Sequence, residues 1–249
     1  MSEKPRIIGV IPGRYGSSRF RGKIIAKIAG KPMVQRVYEQ AAKSKLLDDL
    51  IVAVDDQRVY DVVQSFGGKV MMTASHHQSG TDRLAEIAAH IDGNIYVNVQ
   101  GDQPILDPRM IDEAVAPMID NPDMLMCTLK IKIGEESYHD PGVVKVVTDK
   151  QGWALYFSRS LIPYNRDGKE VDVYEHVGLY VYRKDFLQEY TKMAESPLGE
   201  AEVLEQLKVL ENGYRIFVVE TKCDRSSGMN VDTPEDLLQI EKFLLKQDK

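Results

Sequence analysis

This chain has few cysteines and no excess of positive charge, and both features disfavour several classes of protein. Among 249 residues there are two cysteines, Cys127 and Cys223, without the C-x-x-C spacing of a zinc site. Two cysteines cannot build a disulfide framework, which indicates a reducing compartment. The formal net charge is −6, whereas a dedicated nucleic-acid binder presents a broad positive face. A disulfide-rich module, a zinc module and a nucleic-acid binder are therefore disfavoured.

Long hydrophobic runs are lacking as well. The N-terminal residues lead into a short strand, which predicts neither a signal peptide nor a membrane span. We therefore expect a cytoplasmic protein without membrane insertion. Apolar residues make up 43% of the chain and charged residues 28%, enough for a full core. Without repeats or long linkers, one compact domain over residues 1–249 is the simplest interpretation.

Several common catalytic signatures are missing too. The sequence contains no G-x-S-x-G, H-E-x-x-H or G-x-G-x-x-G, which disfavours hydrolase, zincin and dehydrogenase functions. A Walker A loop is nearly present, but Gly16 and Gly22 are one residue too far apart. Ile24 also stands where that loop needs serine or threonine, so we reject a P-loop NTPase.

Hydrophobic patterning in the first half predicts alternating strands and helices. Residues 6–12 and 50–55 are short, nearly all-apolar runs, typical of strands buried on both faces of a parallel sheet, and residues 94–100 predict another central strand. Residues 34–42 and 57–66 carry apolar side chains at helical spacing. This β-α-β order predicts an α/β fold with a doubly wound, mostly parallel sheet.

The pattern changes near residue 124, after which strand-like runs dominate. We predict a smaller β-rich sub-lobe over about residues 124–190, with strands at residues 126–133, 143–148, 154–157 and 177–182. The remainder predicts a helix over residues 200–211, a strand over 215–220, and a final helix that opens at residues 232–236.

The loop after the first strand is the most basic short segment of the chain. Glycines allow backbone N–H groups to approach an anion, while cationic side chains neutralise phosphate oxygens. The candidate triphosphate ligands are Arg14, Ser17, Arg19 and Lys23. The alternative is an ordinary basic loop that follows a strand.

Two aspartates are candidates for a divalent cation that would organise a triphosphate. Asp102 lies at the carboxyl end of a predicted strand, where open α/β sheets bind ligands, and Asp232 lies before the last helix. Hard cations prefer carboxylate oxygens, which predicts magnesium between these side chains. For Asp232 the alternative is a simple helix N-cap.

A second polar turn precedes another predicted helix. Ser79 and Gly80 are small enough for a base or ribose to lie against the backbone, and Arg83 would reach an anionic group. Ser79 or Thr81 as a helix N-cap is the alternative. A capping box is less expected, since position 82 is aspartate and not glutamate or glutamine.

Further polar residues in the second half have both functional and structural interpretations. His176 precedes a strand and would donate to a sugar hydroxyl or carboxylate, although a lone histidine is more often a core or surface residue. Arg159 would meet a phosphate or carboxylate, or form a surface salt bridge. Glu205 and Gln206 interrupt the predicted helix and would face sugar hydroxyls or solvent.

A set of short blocks in a fixed order resembles the 3-deoxy-manno-octulosonate (Kdo) cytidylyltransferase family across nearly the whole chain. The blocks are Gly13-Arg14-Tyr15-Gly16-Ser17-Ser18-Arg19, Gln78-Ser79-Gly80-Thr81-Asp82-Arg83, Asn98-Val99-Gln100-Gly101-Asp102, Ala154-Leu155-Tyr156-Phe157-Ser158-Arg159, His176-Val177-Gly178-Leu179-Tyr180, Leu204-Glu205-Gln206-Leu207 and Val231-Asp232-Thr233-Pro234-Glu235-Asp236. The resemblance implies a fold like that of nucleotide-diphospho-sugar transferases. It also implies a cytoplasmic, magnesium-dependent homodimer that converts Kdo and CTP to CMP-Kdo and pyrophosphate for lipopolysaccharide synthesis.

The same resemblance implies a role for each matching position. The triphosphate would contact Arg14, Ser17, Arg19 and Lys23, the cytidine Ser79 and Gly80, and magnesium Asp102 and Asp232. Arg14, Lys23 and the two aspartates would carry catalysis, in which the anomeric hydroxyl attacks the α-phosphorus in line. The sub-lobe would contribute to sugar binding and the dimer contact, and the implied sugar-binding residues are Arg83, Gln100, Arg159, His176, Tyr180, Glu205 and Gln206.

Some positions depart from the usual family pattern. Phe20, Arg21 and Ile24 interrupt the first loop, while Gln103, Glu175 and Gly199 alter the sugar side. The changes at the sugar side raise the alternative of an 8-amino-3,8-dideoxy-manno-octulosonate substrate. An acylneuraminate cytidylyltransferase and a nucleotide-binding module without turnover are two further hypotheses.

Overall fold

The computed structural model describes residues 4–16, 20–77, 79–194 and 196–247. The chain divides into two compact units, the first formed by Met1–Asp112 with Cys223–Lys249 and the second by Glu113–Lys222. The strands are β1 (Ile7–Gly13), β2 (Lys27–Ile28), β3 (Lys31–Pro32), β4 (Asp49–Val54), β5 (Val70–Met72), β6 (Ile95–Asn98), β7 (Met126–Ile133), β8 (Lys145–Thr148), β9 (Ala154–Ser158), β10 (Val173–Arg183) and β11 (Phe217–Glu220). The helices are α1 (Met33–Ala41), α2 (Gln57–Ser65), α3 (Gly80–His90), α4 (Pro108–Asp120), α5 (Glu135–His139), α6 (Lys184–Tyr190), α7 (Pro197–Glu202), α8 (Leu207–Glu211) and α9 (Pro234–Gln247).

The first unit is built on parallel strands in the order β6-β1-β4-β5. The central strand β1 has Val10 beside Ile51 of β4 on one side and beside Asn98 of β6 on the other. Most of these strand residues are fully buried, as expected for a parallel sheet covered on both faces. The predicted α/β class with a parallel sheet is confirmed, and β2 pairs with β3 in a separate small antiparallel sheet.

Two glycines allow the loops after β1 and β6 to approach each other. A Cβ at Gly101 would lie 2.6 Å from the carbonyl oxygen of Pro12, so only glycine fits there. Gly22 has a φ of 73° and caps the short 3-10 helix Lys23–Ile25. Such a left-handed conformation favours glycine. These positions place Lys23 and Asp102 at the carboxyl ends of adjacent strands.

The second unit is mainly antiparallel. β10 pairs with β7 and β8 in antiparallel fashion, β8 pairs with β9, and β11 runs parallel to β7. The predicted strand over residues 126–133 is confirmed to the residue by β7, while β10 begins earlier than expected, at Val173. The β-rich sub-lobe expected over residues 124–190 lies inside this unit. In the part of the chain that the structure describes, no helix is long and apolar enough to span a membrane.

The prediction of one helix over residues 200–211 is wrong. The helix α7 ends where Val203 takes a left-handed conformation, with φ 55° and ψ 51°, and α8 starts only at Leu207. The intervening turn buries Leu204 and Gln206. Apolar residues therefore recur at nearly helical spacing, although the backbone between them is not helical.

Replacing Val203 with glycine is expected to stabilise the protein by about 1 kcal/mol, because a β-branched residue is strained in the left-handed region. Val203 is 77% exposed, so little packing is lost. Urea unfolding of Val203→Gly measures the gain. The control is Val171→Gly, at an exposed residue outside the left-handed region. Equal changes in both variants would contradict the strain at Val203.

Candidate active site

Lys23 joins two aspartates in the first unit. Its Nζ lies 2.8 Å from Oδ2 of Asp102, 3.2 Å from Oδ1 of Asp232 and 2.9 Å from the carbonyl oxygen of Val231. The Lys23 side chain is 16% exposed, against 26% for Asp102 and 35% for Asp232. The structure thus brings together three of the predicted site residues, and we call them, with the Val231 carbonyl, the Lys23 cluster.

Backbone contacts hold the two aspartates near each other. The N–H of Val231 donates to the carbonyl of Asp102 at 2.9 Å, which ties the segment before α9 to the turn after β6. The N-cap role considered for Asp232 is taken by Thr233, whose hydroxyl accepts from the N–H of Asp236. The Asp236 carboxylate in turn accepts from the N–H groups of Asp232 and Thr233. The Asp232 carboxylate is therefore directed to Lys23 instead of to the helix.

The donor atoms of the Lys23 cluster suit a hard cation. Two carboxylates and one carbonyl supply only oxygen atoms, and magnesium is commonly bound by one or two carboxylates together with substrate phosphates. The described residues contain no group of three or more His, Cys, Asp or Glu side chains that could hold a metal ion by themselves. A cation here would therefore need ligands from a substrate.

The turn that precedes α3 has a capping box, which the sequence made less expected. Ser79 Oγ accepts from the N–H of Asp82, and the Asp82 carboxylate accepts from the N–H of Ser79, both at 3.1 Å. The aspartate side chain is therefore long enough to complete a capping box when the backbone of the N-cap residue is extended. Gly80 lies against Pro12, because a Cβ placed on Gly80 would be 3.2 Å from Cγ of Pro12. The roles of Ser79 and Gly80 toward a cytidine stay predictions.

The remaining triphosphate candidates lie on the first loop. Arg14 directly follows β1 and is exposed. Ser17 and Arg19 lie outside the described residues. Beside this loop, the Arg58 guanidinium stacks 3.6 Å from the centre of the Tyr15 ring. The basic character of the loop agrees with a phosphate site, while the individual roles stay predictions.

Arg83 is buried and paired within the first unit. Its guanidinium is 2.7 Å from Oδ2 of Asp55 and 2.8 Å from the hydroxyl of Thr73. Only 1% of Arg83 is exposed. The other Asp55 oxygen accepts from the N–H of Tyr15 at 3.1 Å, so this ion pair connects α3 to the first loop. The predicted sugar contact of Arg83 stays a prediction, as does that of Gln100, which follows β6 in the same unit.

In the second unit, His176, Tyr180 and Gln206 form a second cluster. The rings of His176 and Tyr180 are 5.4 Å apart, and the Tyr180 hydroxyl donates to Oε1 of Gln206 at 3.2 Å. Within the described residues, Nε2 of Gln206 is buried without a hydrogen-bond partner. His176 Nε2 is 2.9 Å from the hydroxyl of Thr128. Their shared location was predicted by resemblance, and their sugar-binding roles stay predictions.

Arg159 and Glu205 have other surroundings in this unit. The main chain and guanidinium of Arg159 donate to Glu202, whose carboxylate also accepts from the hydroxyl of Ser158 at 2.5 Å. The buried Lys145 donates to the Arg159 carbonyl at 2.6 Å, and burial lowers the pKa of Lys145. Glu205 lies in the turn between α7 and α8, where its carbonyl accepts from Tyr190. Their roles toward a sugar also stay predictions.

Burial controls the protonation of His176. The residue is 9% exposed, and burial lowers the pKa of His176 from its usual 6.5 to about 3. The folded protein therefore holds a neutral imidazole at neutral pH. Near pH 7 this ring would act toward a ligand as a neutral hydrogen-bonding group and not as a cation.

The stability of the protein should fall in acid because of His176. The unfolded histidine takes up a proton below about pH 6.5 and the folded one only near pH 3, so this contribution is present above pH 6.5 and lost as the pH falls. Between pH 7.5 and 5.0 the free energy of unfolding of the wild type should fall by about 2 kcal/mol more than that of the His176→Gln variant, which has no imidazole to titrate. Urea unfolding at both pH values measures this difference, and equal losses would contradict it.

Sequence patterns alone missed two important residues. Asp55 links Arg83 to the first loop, and Glu202 binds Ser158 and Arg159. A signal for Asp55 was present, since it directly follows the apolar run of β4, at the carboxyl end of a parallel strand. Glu202 is the last residue of the short helix α7 and offered no comparable signal.

Comparisons with known proteins agree with these features. The sequence model of the family described as cytidylyltransferase matches residues 8–216. A 3-deoxy-manno-octulosonate cytidylyltransferase from Syntrophotalea carbinolica is 53% identical over 96% of this chain and 98% of its own length. One from Geobacter metallireducens is 54% identical over 94% of this chain and 96% of its own length.

A solved structure is also similar over the full length. It is a CMP:2-keto-3-deoxy-manno-octonic acid synthetase complexed with CTP, with a TM-score of 0.93 and 42% identity. The match covers 97% of this chain and 99% of that one. Because matches this strong extend over both units, the chain belongs to the 3-deoxy-manno-octulosonate cytidylyltransferase family.

Proposed function

We propose that this protein transfers CMP from CTP to 3-deoxy-manno-octulosonate, forming CMP-Kdo and pyrophosphate for lipopolysaccharide synthesis. The observation that carries the proposal is the Lys23 cluster, in which Lys23, Asp102 and Asp232 meet after β1, after β6 and before α9. Its full-length relatives are named for this reaction, and the related solved structure contains CTP. A binding module without turnover does not explain the carboxylate pair beside a basic loop.

Magnesium is the cofactor that the Lys23 cluster fits best. Asp102 and Asp232 would hold the ion, because their oxygens converge on one point beside the basic loop. When bound, magnesium supplies positive charge that stabilises the developing negative charge on the phosphates. Arg14, Ser17, Arg19 and Lys23 would bind and orient the triphosphate from the protein side.

The reaction needs little beyond positioning. The anomeric hydroxyl oxygen of the sugar attacks the α-phosphorus of CTP in line and gives up its proton to solvent. The bond between that phosphorus and the oxygen bridging to the β-phosphorus breaks, and pyrophosphate leaves with the bonding electrons. Ser79 and Gly80 would lie against the cytidine. The residues that would bind the sugar are Arg83, Gln100, Arg159, His176, Tyr180, Glu205 and Gln206.

The parent octulosonate is preferred over its 8-amino derivative. The relatives from Syntrophotalea carbinolica and Geobacter metallireducens are both named for the parent sugar. Gln103, Glu175 and Gly199 are departures from the usual pattern but do not by themselves favour an amine. We also propose a cytoplasmic homodimer, for which sedimentation should give about twice the chain mass of 28.1 kDa.

Pyrophosphate release tests the proposal. The protein is incubated with CTP, magnesium and one of three sugar acids: Kdo, 8-amino-Kdo or N-acetylneuraminate. We expect release with Kdo, slower release with the 8-amino sugar, none with N-acetylneuraminate, and none after chelation of magnesium. Faster release with either of the other two sugars would overturn the assignment of Kdo as the substrate. Undiminished release after chelation would overturn the assignment of magnesium as the cofactor.

A further inference from the structure

The ammonium of Lys23 lies at the point where the two proposed metal-binding carboxylates converge. A lysine ammonium has three protons to donate, and here three acceptors surround it: Asp102, Asp232 and the Val231 carbonyl. All three oxygens lie within 3.2 Å of the nitrogen. The hydrogen-bonding capacity of Lys23 is therefore fully used inside the cluster.

This arrangement opposes the binding of a second cation. Lys23 neutralises one of the two negative charges, and a divalent ion between the same oxygens would lie within a few ångströms of the ammonium. Repulsion at such a distance is strong where solvent screening is weak, and the Lys23 side chain is only 16% exposed. The carboxylates are also engaged in hydrogen bonds to Lys23 that a metal ion must replace.

Nucleotide phosphates offer Lys23 a different partner. Lysine carries a compact charge on a flexible four-carbon chain, so its ammonium can move while the backbone stays in place. The backbone at both aspartates is held independently of Lys23, because the N–H of Val231 donates to the Asp102 carbonyl and Asp236 accepts from the N–H of Asp232. Movement of Lys23 alone would leave the carboxylate pair intact for a metal ion.

We propose that Lys23 is an internal counter-ion that closes the cation site until nucleotide phosphates draw its ammonium away. This inference rests on the proposed function, since it takes the site to bind a triphosphate with a divalent cation. The nucleotide-free protein then binds divalent ions weakly. Nucleotide and metal bind cooperatively, because each displaces a contact that hinders the other. Lys23 thereby lowers metal occupancy when nucleotide is absent.

Manganese binding, measured by the electron paramagnetic resonance signal of the free ion, tests the proposal without any turnover. In the absence of nucleotide, Lys23→Met should bind Mn²⁺ at least about tenfold more tightly than the wild type, because a positive charge is removed from between the carboxylates. The control Lys27→Met, at a nearby exposed lysine, should behave like the wild type. The double variant Lys23→Met with Asp102→Asn should lose the gain, which assigns the ion to this site.

A nucleotide analogue provides a second test. α,β-Methylene-CTP, which cannot release pyrophosphate, also supplies phosphate ligands of its own, so its effect is compared between the two proteins. The rise in Mn²⁺ affinity, relative to the analogue without protein, should be at least about tenfold larger for the wild type than for Lys23→Met. Equal Mn²⁺ affinities of wild type and Lys23→Met without nucleotide would overturn the proposal. An unchanged Mn²⁺ affinity of the wild type in the presence of the analogue would also overturn it.

The failure of this inference is distinguishable from that of the proposed function. If Lys23→Met gains Mn²⁺ affinity but the wild type releases no pyrophosphate with Kdo, the counter-ion role stands and the substrate assignment fails. If pyrophosphate is released but the two proteins bind Mn²⁺ equally without nucleotide, the function stands and the counter-ion role fails.

Discussion

Replacing Asp102 with asparagine is expected to lower the rate of pyrophosphate release about a thousandfold or more. The substitution removes one of the two carboxylates that we propose to hold magnesium and also one partner of Lys23. The fold should survive, because the turn is held by the Asp102 carbonyl, which accepts from Val231 and does not involve the side chain. Steady-state rates with CTP and Kdo, together with urea unfolding, measure both effects.

Asp107→Asn is the matched control for this variant. Asp107 lies a few residues further along the same chain segment, where its carboxylate pairs with Arg109 and the pKa of Asp107 is lowered by that hydrogen bond. Its replacement should leave the rate almost unchanged. A rate for Asp102→Asn within about tenfold of the wild type would remove Asp102 from the catalytic machinery.

Replacing Arg83 with methionine is expected to destabilise the protein by about 3–5 kcal/mol, because it leaves the Asp55 carboxylate in a buried site without its ionic partner. The pair is 2.7 Å apart, and the side chains are 2% and 11% exposed. The loss should appear in urea unfolding. We also expect weaker CTP binding, since Asp55 accepts from the N–H of Tyr15 on the first loop.

A double variant separates this structural role from a sugar contact. Asp55→Asn added to Arg83→Met removes the unpaired charge, so the double variant should be clearly less destabilised than the sum of the two single changes. An Arg83→Met protein with unchanged stability but a raised KM for the sugar would contradict the structural role. That result would instead support the sugar contact that the family resemblance implies.

Sequence patterns succeeded where a local property determines the structure. The strand β7 has its predicted bounds because apolar residues recur along it at strand spacing, while Lys130 and Lys132 are less buried. That Asp102 and Asp232 face one crevice was predicted as well, since strand ends and a helix start in an open α/β sheet face the same edge. The ion pairs that Lys23 forms with both aspartates were not predicted.

Sequence patterns failed where the structure depends on the backbone conformation of one residue or on a partner that is distant in the sequence. The break at Val203 leaves the apolar spacing of the predicted helix nearly unchanged, so hydrophobic periodicity could not reveal it. The partner of Arg83 is Asp55, 28 residues earlier, and no local pattern indicates that pairing. The burial of this ion pair emerges only when the sheet and α3 are assembled.

Phosphorus-31 NMR of one reaction mixture tests the central claim most directly. Wild-type protein, CTP, magnesium and Kdo should yield pyrophosphate and a CMP phosphodiester of the sugar in equal amounts, with no CTP consumed when the sugar is left out. Formation of CMP and pyrophosphate without the sugar, or the absence of a phosphodiester signal while CTP stays intact, would contradict cytidylyl transfer to Kdo.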